Sequence, residues 1–585
     1  MIESAVNLSE TFNNFENLRN YLVDISFNKG DVVFYQNEQA TDCYYLEQGV
    51  VVLQYYDEDL GIMVDLSTHH AGDIIGAISI ISKETRSLTA VARTPVKTQC
   101  LTQDCLEKIS VTDTEAHKEF LGLVNNSLIN RFKNNQSIVK NDAVLRTKVP
   151  AVDQQVAAAV SAHEEFISWP EEKVDQIIEK ISQLIYDRAA ELALRTREES
   201  GMGVVDHKML KIKLGSLDVA QSLINKPGNG VLELEANGVE KMTMPVGVVF
   251  GMIPITNPVE TIVFKTLISL KSRNAIVISS HRKGRQVGDY TVQLIRNVLK
   301  DAGAPENLVQ TPLLPANRKV TQAYMSHDDI SMILATGGPS MVKSAYSSGT
   351  PAIGVGKGNA PVWICDDCDV ADAAEKVINS KSFDNGVVCG SENNLLVDQV
   401  IVDEFKVHAI QHGAALLTKD EIRRLLEVVF SSNGRIAPEF IGQTAVDICL
   451  EIGVVRDYDI KLIIADVAAY EFDSPLLREK LAPVLSLVTV HSEREALDHV
   501  YEILELEGKG HTAIIHSQNK ERISAFSIVA QVSRVLVATA GTQGCIGAEN
   551  GLNLSWTLGC GTLGGGSVSD NVSYQHLQNT KRIAY

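Results

Sequence analysis

Partway along this chain the hydrophobic pattern changes kind, and no single sheet or bundle can satisfy both parts. Between about residues 20 and 115, short apolar runs are separated by turn residues. Examples are Phe27-Asn-Lys-Gly30-Asp31-Val-Val-Phe-Tyr, Asp42-Cys-Tyr-Tyr-Leu-Glu-Gln-Gly49 and Val50-Val-Val-Leu-Gln-Tyr-Tyr. Runs of this length with Gly and Asp between them predict a small all-β barrel or sandwich. The stretch from Glu119 to Phe132 takes helical apolar spacing, then decays into the polar Lys133-Asn-Asn-Gln-Ser and on to Lys148-Val-Pro150. Beyond 150, helical stretches (about 171–198 and 286–302) alternate with buried-type strands such as Val246-Gly-Val-Val-Phe, Ala275-Ile-Val-Ile-Ser and Met332-Ile-Leu-Ala. That alternation predicts α/β units around parallel sheets. The chain therefore reads as a fusion of two folds, joined by a helix and a linker.

Composition narrows the function. The 585 residues carry 53 Lys+Arg against 73 Asp+Glu, a net charge of −20. Sequence-independent nucleic-acid binding needs the opposite balance, although a local basic pocket for a small phosphate-bearing ligand is still compatible. No run of 18 apolar residues is present, so no membrane helix is expected. Met1–Phe12 lacks the basic start and apolar core of a secretory signal. Nine scattered cysteines fit reduced thiols and a cytoplasmic location. Cys365 and Cys368 have redox or zinc spacing, but no second pair follows, and no metal site is expected.

Three segments of the larger part carry chemistry. Cys389, after Asp384-Asn-Gly-Val-Val and before Gly-Ser, stands with little steric cover, as a reactive thiol must. Asn257 follows a strand and a Pro254-Ile-Thr loop, where its amide could donate to an oxyanion. Thr336-Gly337-Gly338-Pro joins a strand to a helix start and would offer backbone N–H groups to a pyrophosphate or nicotinamide.

In this order the segments closely resemble the aldehyde dehydrogenase superfamily, and more narrowly its CoA-acylating branch, including the aldehyde dehydrogenase half of bifunctional aldehyde-alcohol dehydrogenases. The resemblance runs from about 150 to the C-terminus. It includes Phe264-Lys-Thr-Leu-Ile-Ser-Leu-Lys-Ser-Arg-Asn-Ala, Tyr346-Ser-Ser-Gly-Thr-Pro-Ala-Ile-Gly-Val-Gly, Phe383-Asp-Asn-Gly-Val-Val-Cys and Leu558-Gly-Cys-Gly. It implies an aldehyde dehydrogenase fold, with a Rossmann-like cofactor domain and an α/β catalytic domain. It also implies NAD as cofactor, coenzyme A as cosubstrate, and a small aldehyde or acyl-CoA as substrate. Cys389 would be the nucleophile that forms a thiohemiacetal and then a thioester, with Asn257 and the Cys389 N–H holding the oxyanion. Glu479, in Arg478-Glu-Lys-Leu-Ala-Pro483, matches the glutamate that holds the nicotinamide ribose. His511 matches a histidine of the acylating branch that would take the proton of an incoming thiol. Cys545 and Cys560, in glycine-rich stretches, are read as packing.

One departure separates branches. Hydrolytic members place a deacylating Glu in a Glu-Leu-Gly-Gly segment; here Gly354-Val355-Gly-Lys-Gly-Asn offers Val355 and no carboxylate. A deprotonated CoA thiol needs no such base, so the resemblance implies acyl-CoA + NADH + H⁺ ⇌ aldehyde + CoA + NAD⁺. The adenine-side segment Ile278-Ser279-Ser280-His281 lacks the Lys of many hydrolytic members, with Ser279 at the cofactor. A homo-oligomer is expected from the family likeness. The chain stops at Tyr585, without the iron-dependent alcohol dehydrogenase half, so the aldehyde would pass to a separate alcohol dehydrogenase. A hydrolytic dehydrogenase and a catalytically inactive regulatory or scaffold fusion are the competing readings.

The N-terminal part resembles a cyclic-nucleotide-binding domain, a β-barrel or jelly roll, through Gly30-Asp31, Gly49 and Gly72-Asp-Ile-Ile-Gly76-Ala77 with Arg86-Ser87-Leu-Thr89. Arg86 and Ser87 match the pair that holds a cyclic phosphate, with Gly76 and Thr89 alongside; a planar guanidinium suits a phosphate. The family's ribose-binding Glu is replaced near Gly76-Ala77. Losing that partner of a buried hydroxyl costs roughly 1–3 kcal/mol. A cyclic nucleotide effector and a degenerate docking module both stay open. The expected divisions are 1–118 for this domain, 119–150 for helix and linker, 151–370 for NAD and CoA, 371–545 for catalysis, and 546–585 for a returning segment.

Overall fold

The structure is a computed structural model describing residues 17–57, 62–124, 127, 149–234, 238–431, 433–467 and 474–585. Most of the expected 119–150 helix and linker lies outside the described residues. The chain divides into two compact units, residues 1–145 and 146–585.

The first unit is built from two four-stranded antiparallel sheets. One orders Val23–Phe27, Val96–Thr102, Asp42–Gln48 and Ile74–Ile75; the other orders Val32–Phe34, Thr89–Ala92, Val51–Asp57 and Ile62–His69. Alternate residues face inward, so Leu46, Val51, Ile75, Ala90 and Val96 form a sealed core. Gly49 turns the chain between two strands at φ +99°, where a Cβ would lie 2.4 Å from the Pro95 carbonyl. Only glycine accepts both conditions. The short helix Ala77–Ser82 follows Gly76, and residues 114–124 are helical.

The second unit opens with helices that cover a parallel sheet. Glu171–Asp187 turns Val174, Ile177, Ile178, Ile181 and Ile185 inward, an apolar stripe at helical spacing. The helix expected over 171–198 breaks at Arg188 (φ −98°, ψ 8°), and Ala189–Ser200 presents a new stripe of Leu192, Ala193 and Thr196. Five parallel strands follow in the order Val309–Gln310, Ala275–Ser280, Val248–Ile253, Ile330–Thr336, Ala352–Val355. Every residue of Val248–Ile253 and Ala275–Ser280 is buried, as a sheet covered on both faces requires.

A second parallel sheet has seven strands, in the order Ala414–Leu416, Leu462–Asp466, Val484–Val490, Glu392–Asp398, Ala360–Ile364, Gly510–His516, Val532–Val537. It includes Ala360–Ile364, within the stretch expected to go with the cofactor. The final strand Gln578–Ile583 returns to pair antiparallel with Glu240–Pro245, which pairs with Gly230–Leu234. Cys365 ends a buried strand and Cys368 opens the next turn. Asp367 between them accepts from Ser517 Oγ, Gln518 N and Asn519 N, and Arg522 bridges Asp366 and Asp367. The Cys-Asp-Asp-Cys turn is thus engaged through its acids.

Candidate active site and nucleotide-like pocket

The carboxyl ends of the five-stranded sheet hold the expected cofactor residues. Met252 is in register with Ser279 on one neighbouring strand and Ala335 on the other, and Thr336 pairs with Val355. Ser279 and Thr336 therefore flank the central strand at its carboxyl end, where open α/β sheets take their ligands. Gly338 is the N-cap of Pro339–Tyr346, and no side chain caps it. A Cβ on Gly337 would collide with Met341, whereas Gly338 faces open space. Uncapped first-turn N–H groups beside two glycines suit a dinucleotide pyrophosphate.

Asn257 caps the next helix, Pro258–Lys271, in position only: its side chain makes no capping bond. Its Oδ1 accepts from Lys211 Nζ at 2.8 Å and its Nδ2 donates to Thr256 Oγ1 at 3.1 Å. An ammonium has no acceptor, so Oδ1 must face the lysine, and the amide orientation follows. Lys211 Nζ also donates to Val387 O at 3.4 Å, two residues before Cys389. One cation thus joins the amide to the loop that carries Cys389.

Around Cys389 the packing is close. A Cβ on Gly358 would fall 1.7 Å from the Cys389 carbonyl oxygen, and Gly358 N donates to Glu479 Oε1 at 3.1 Å. A Cβ on Gly390 would lie 2.3 Å from Cys545 Sγ and 3.6 Å from His511 Cε1. Cys560 Sγ accepts from Gly356 N. Cys389, Glu479 and His511 therefore meet at one loop, with Cys545 and Cys560 as its packing. Val355, one residue before Gly356, is buried and ends its strand.

Burial sets the protonation states. It pushes the Cys389 thiol up to about 12, with the Glu479 carboxylate and Cys560 adding to the effect and the Arg534 cation opposing it. Glu479 rises to about 7, chiefly by burial and by neighbouring Glu507, against Lys357 and the Gly358 N–H. Burial and the Arg534 charge hold His511 down at about 3. Its Nδ1 meets Thr512 Oγ1 at 2.9 Å, and its Nε2 is buried without a partner among the described residues. The ring is therefore neutral at pH 7, with one nitrogen uncommitted.

Several contributors escaped the sequence reading. Lys265 donates to Met252 O, Leu334 O and Thr336 Oγ1 beneath the cofactor end of the sheet, and burial lowers it to about 7. Lys208, Lys211 and Asp384 form a buried ion cluster, and Arg534 is buried with Nη1 unpartnered. Their only sequence signal was spacing: Lys208 and Lys211 lie three apart, on one helix face.

In the first unit, Gly76, Arg86 and Ser87 line a cavity of about 150 Å³ with Phe34, Leu53 and Ala77. Arg86 Nη2 donates to Asp42 O and Oδ1, both at 2.6 Å, and Nη1 donates to Gly76 O at 3.1 Å. The guanidinium lies 4.3 Å from the Phe34 ring centroid, and its Nε is buried without a partner among the described residues. Thr89 stands apart from this lining; its Oγ1 accepts from Gln36 N.

A parallel-sheet enzyme with a cysteine, an oriented amide and a dinucleotide-type sheet end is the class these observations define. Residues 131–428 match the aldehyde dehydrogenase family, and residues 24–113 match the cyclic nucleotide-binding domain. The chain belongs to the aldehyde dehydrogenase family and carries an N-terminal cyclic nucleotide-binding domain. It is 35% identical to the bifunctional aldehyde-alcohol dehydrogenase of Escherichia coli K12, over 75% of this chain and 50% of that protein. The chain thus spans about half the length of the bifunctional relatives it matches. It is 32% identical to the acetylating succinate-semialdehyde dehydrogenase of Clostridium kluyveri, over 74% of this chain and 96% of that one. The acetylating aldehyde dehydrogenase structure from Geobacillus thermoglucosidasius superposes with a TM-score of 0.72 at 35% identity, covering 74% of this chain and 96% of that one. Among the described residues no helix is long and apolar enough to cross a membrane.

Proposed function

We propose that this chain is an NAD-dependent, CoA-acylating aldehyde dehydrogenase that interconverts a short acyl-CoA and its aldehyde through a thioester on Cys389. The observation that carries the reading is the single lysine that joins Asn257 to the Cys389 loop, and Val355 at the family's hydrolytic position offers no carboxylate. As the thiolate, its proton released to solvent, Cys389 Sγ adds to the carbonyl carbon while Asn257 Nδ2 and the Cys389 N–H receive the oxyanion. Thr336, Gly337, Gly338 and Ser279 would hold the dinucleotide, and Glu479 its nicotinamide ribose. Bound NAD supplies the hydride acceptor. The thioester left on Cys389 is then taken by the CoA thiol. The uncommitted Nε2 of His511 supports this ring as the acceptor of that thiol's proton, with the thiolate formed beside it stabilising the imidazolium against the burial that otherwise holds it down at about 3.

The same reading has the chain working in the cytoplasm as a homo-oligomer. Its aldehyde would be exchanged with a separate alcohol dehydrogenase, the chemistry joined in the names of the bifunctional relatives. In the N-terminal domain, the cavity at Gly76, Arg86 and Ser87 supports a cyclic nucleotide as effector. A bound phosphate would have to compete with Asp42 for the Arg86 fork.

The test is NADH consumption by the purified chain over a panel of acyl-CoAs, with and without cAMP and cGMP, and product analysis in the reverse direction. Aldehyde, NAD⁺ and CoA should yield acyl-CoA; free acid without acyl-CoA would overturn the acylating reading. Calorimetry with no cyclic nucleotide binding, together with unchanged rates, would leave the first unit a docking module.

A further inference from the structure

The nucleophile of this site stands on a strained approach. Asp384, Asn385 and Gly386 take consecutive left-handed conformations, with φ of +51°, +55° and +75°. For residues with a Cβ that region costs free energy, and such strain persists only where surrounding contacts over-determine it. The contacts here are explicit. Asp384 N donates to His207 Nδ1 at 2.8 Å, Asp384 Oδ1 accepts from Val204 N at 2.7 Å, and Asn385 Nδ2 donates to Gly442 O at 2.9 Å. Asp384 Oδ2 accepts from Lys208 at 3.1 Å and from Lys211 at 2.5 Å. Both lysines lie on the helix Val205–Lys213 and are sealed from solvent.

Lys211 has three N–H donors, and all three are assigned: to Asp384, to Val387 O and to Asn257 Oδ1. The last of these is unlike the rest. Among the described residues Asn257 Nδ2 is otherwise met only by Thr256 Oγ1, a hydroxyl that can donate or accept, so that contact alone would hold either amide face. The ammonium admits one face only. It also withdraws electron density through Oδ1, which strengthens the Nδ2–H as a donor, as hydrogen bonds in a chain polarise one another.

We propose that Lys211 is a positioning residue of the reaction. Anchored by Asp384, its ammonium fixes the Asn257 amide with the N–H₂ toward the oxyanion and keeps that donor in register with the Cys389 loop. The proposal rests on Asn257 being the oxyanion donor, as argued above, and Lys211 acts through it without touching the reacting atoms.

A double-mutant cycle on the full chain tests this, with aldehyde oxidation by NAD⁺ and CoA as the assay. Asn257→Ala should lower kcat by about 10²- to 10³-fold, the usual loss of one oxyanion donor. Lys211→Met should lower kcat by about 10²-fold. In that variant Asp384 keeps Lys208, so no buried carboxylate is left without a cation. The double variant should stay within about threefold of Asn257→Ala, because the lysine then has no amide to align. KM for NAD⁺ and the rate of Cys389 alkylation by iodoacetamide, a displacement with no oxyanion, should hold within about threefold in Lys211→Met.

Losses that multiply in the double variant, or slowed alkylation in Lys211→Met, would overturn the proposal in favour of a purely structural lysine. An unchanged kcat in Asn257→Ala would instead remove the oxyanion assignment itself. Should Lys211→Met fail to fold, Lys211→Gln, which keeps an N–H for Oδ1 without the charge, enters the same cycle. Its expected loss is about 10-fold, absent in the Asn257→Ala background; a loss that persists there overturns the proposal.

Discussion

Gly358→Ala probes the site by adding one methyl group. The new Cβ would sit 1.7 Å from the Cys389 carbonyl oxygen and 2.6 Å from its carbonyl carbon, where real Cβ contacts stay beyond 3.0 Å. Both obstacles are backbone, so no side chain can swing away, and the Cys389 loop or the Gly356–Gly358 loop must move by more than an ångström. Overpacking of this kind costs about 1–3 kcal/mol of stability, which leaves the fold intact. The nucleophile, however, would be displaced by the same ångström, and a misplacement of that size costs about 10²-fold in rate, near 2.7 kcal/mol. Gly358 N is also the donor to Glu479, so the carboxylate shifts with it. The assay is kcat for acyl-CoA reduction by NADH, with circular dichroism to confirm folding. Gly551→Ala serves as the steric control, since nothing lies within 4 Å of its added Cβ and its φ is unremarkable. A Gly358→Ala enzyme with kcat within threefold of the parent would refute the packing argument and, with it, the placement of Cys389 against the Gly356–Gly358 loop.

Cys389→Ala should abolish turnover and leave NAD binding, measured by fluorescence titration, within about threefold; residual turnover above 1% of the parent, roughly, would refute the nucleophile. Val355→Glu restores a carboxylate at the hydrolytic position, near the Lys265–Thr336 contact, and should shift product toward free acid by about 10-fold, read by chromatography. His511 has its folded pKa depressed to about 3, below the unfolded value, so the unfolded chain binds the extra proton between those pH values. Stability tied to it is complete above about pH 6.5 and is lost as pH falls toward 3. His511→Gln should therefore flatten the urea midpoint against pH across that window, and an unchanged slope would show the ring to be exposed.

The parts of the fold that local pattern can specify were legible. Continuous apolar runs announced Val248–Ile253 and Ala275–Ser280, and the spacing of 286–302 matched the helix Arg285–Asp301. That Cys389, Glu479 and His511 come together at one loop was also readable from motifs whose residues are adjacent in sequence, and their catalytic roles are the proposal made above. The buried lysines were not. Lys208 and Lys211 occupy a helix whose pattern reads as a solvated face, since lysine in a helix is ordinarily exposed. Only the arrival of Asp384, from a segment far along the chain, makes their burial tolerable. At Thr89 the sequence could not show the partner: its neighbours Arg86 and Ser87 line the cavity, whereas the Thr89 hydroxyl accepts from Gln36 N, a residue distant in sequence.

That distribution of charge bears on how an acidic chain handles anionic cofactors. Overall it carries 73 acids against 53 bases. Among the described residues, however, the buried charged side chains are Arg86, Lys208, Lys211, Lys265, Lys271, Arg273, Lys381, Lys480 and Arg534 against only Glu260, Asp384 and Glu392. The interior has the opposite sign to the surface. Burial holds Lys265 and Lys381 near 7, so part of that excess is only fractionally charged at neutral pH. Three of the others stand at the edges of the proposed sites: Lys211 at Asn257, Arg534 at Gly559 O beside the cysteines, and Arg86 at the first unit's cavity. A chain of net −20 with an acidic surface repels NAD, CoA and any cyclic phosphate over the range of a Debye length, about 8 Å at physiological salt. Recognition must then come from groups met inside that distance, where a few desolvated cations and oriented N–H donors outweigh a screened exterior. Raising ionic strength should accordingly lower KM for CoA, whereas a site fed by a positive surface would show the reverse.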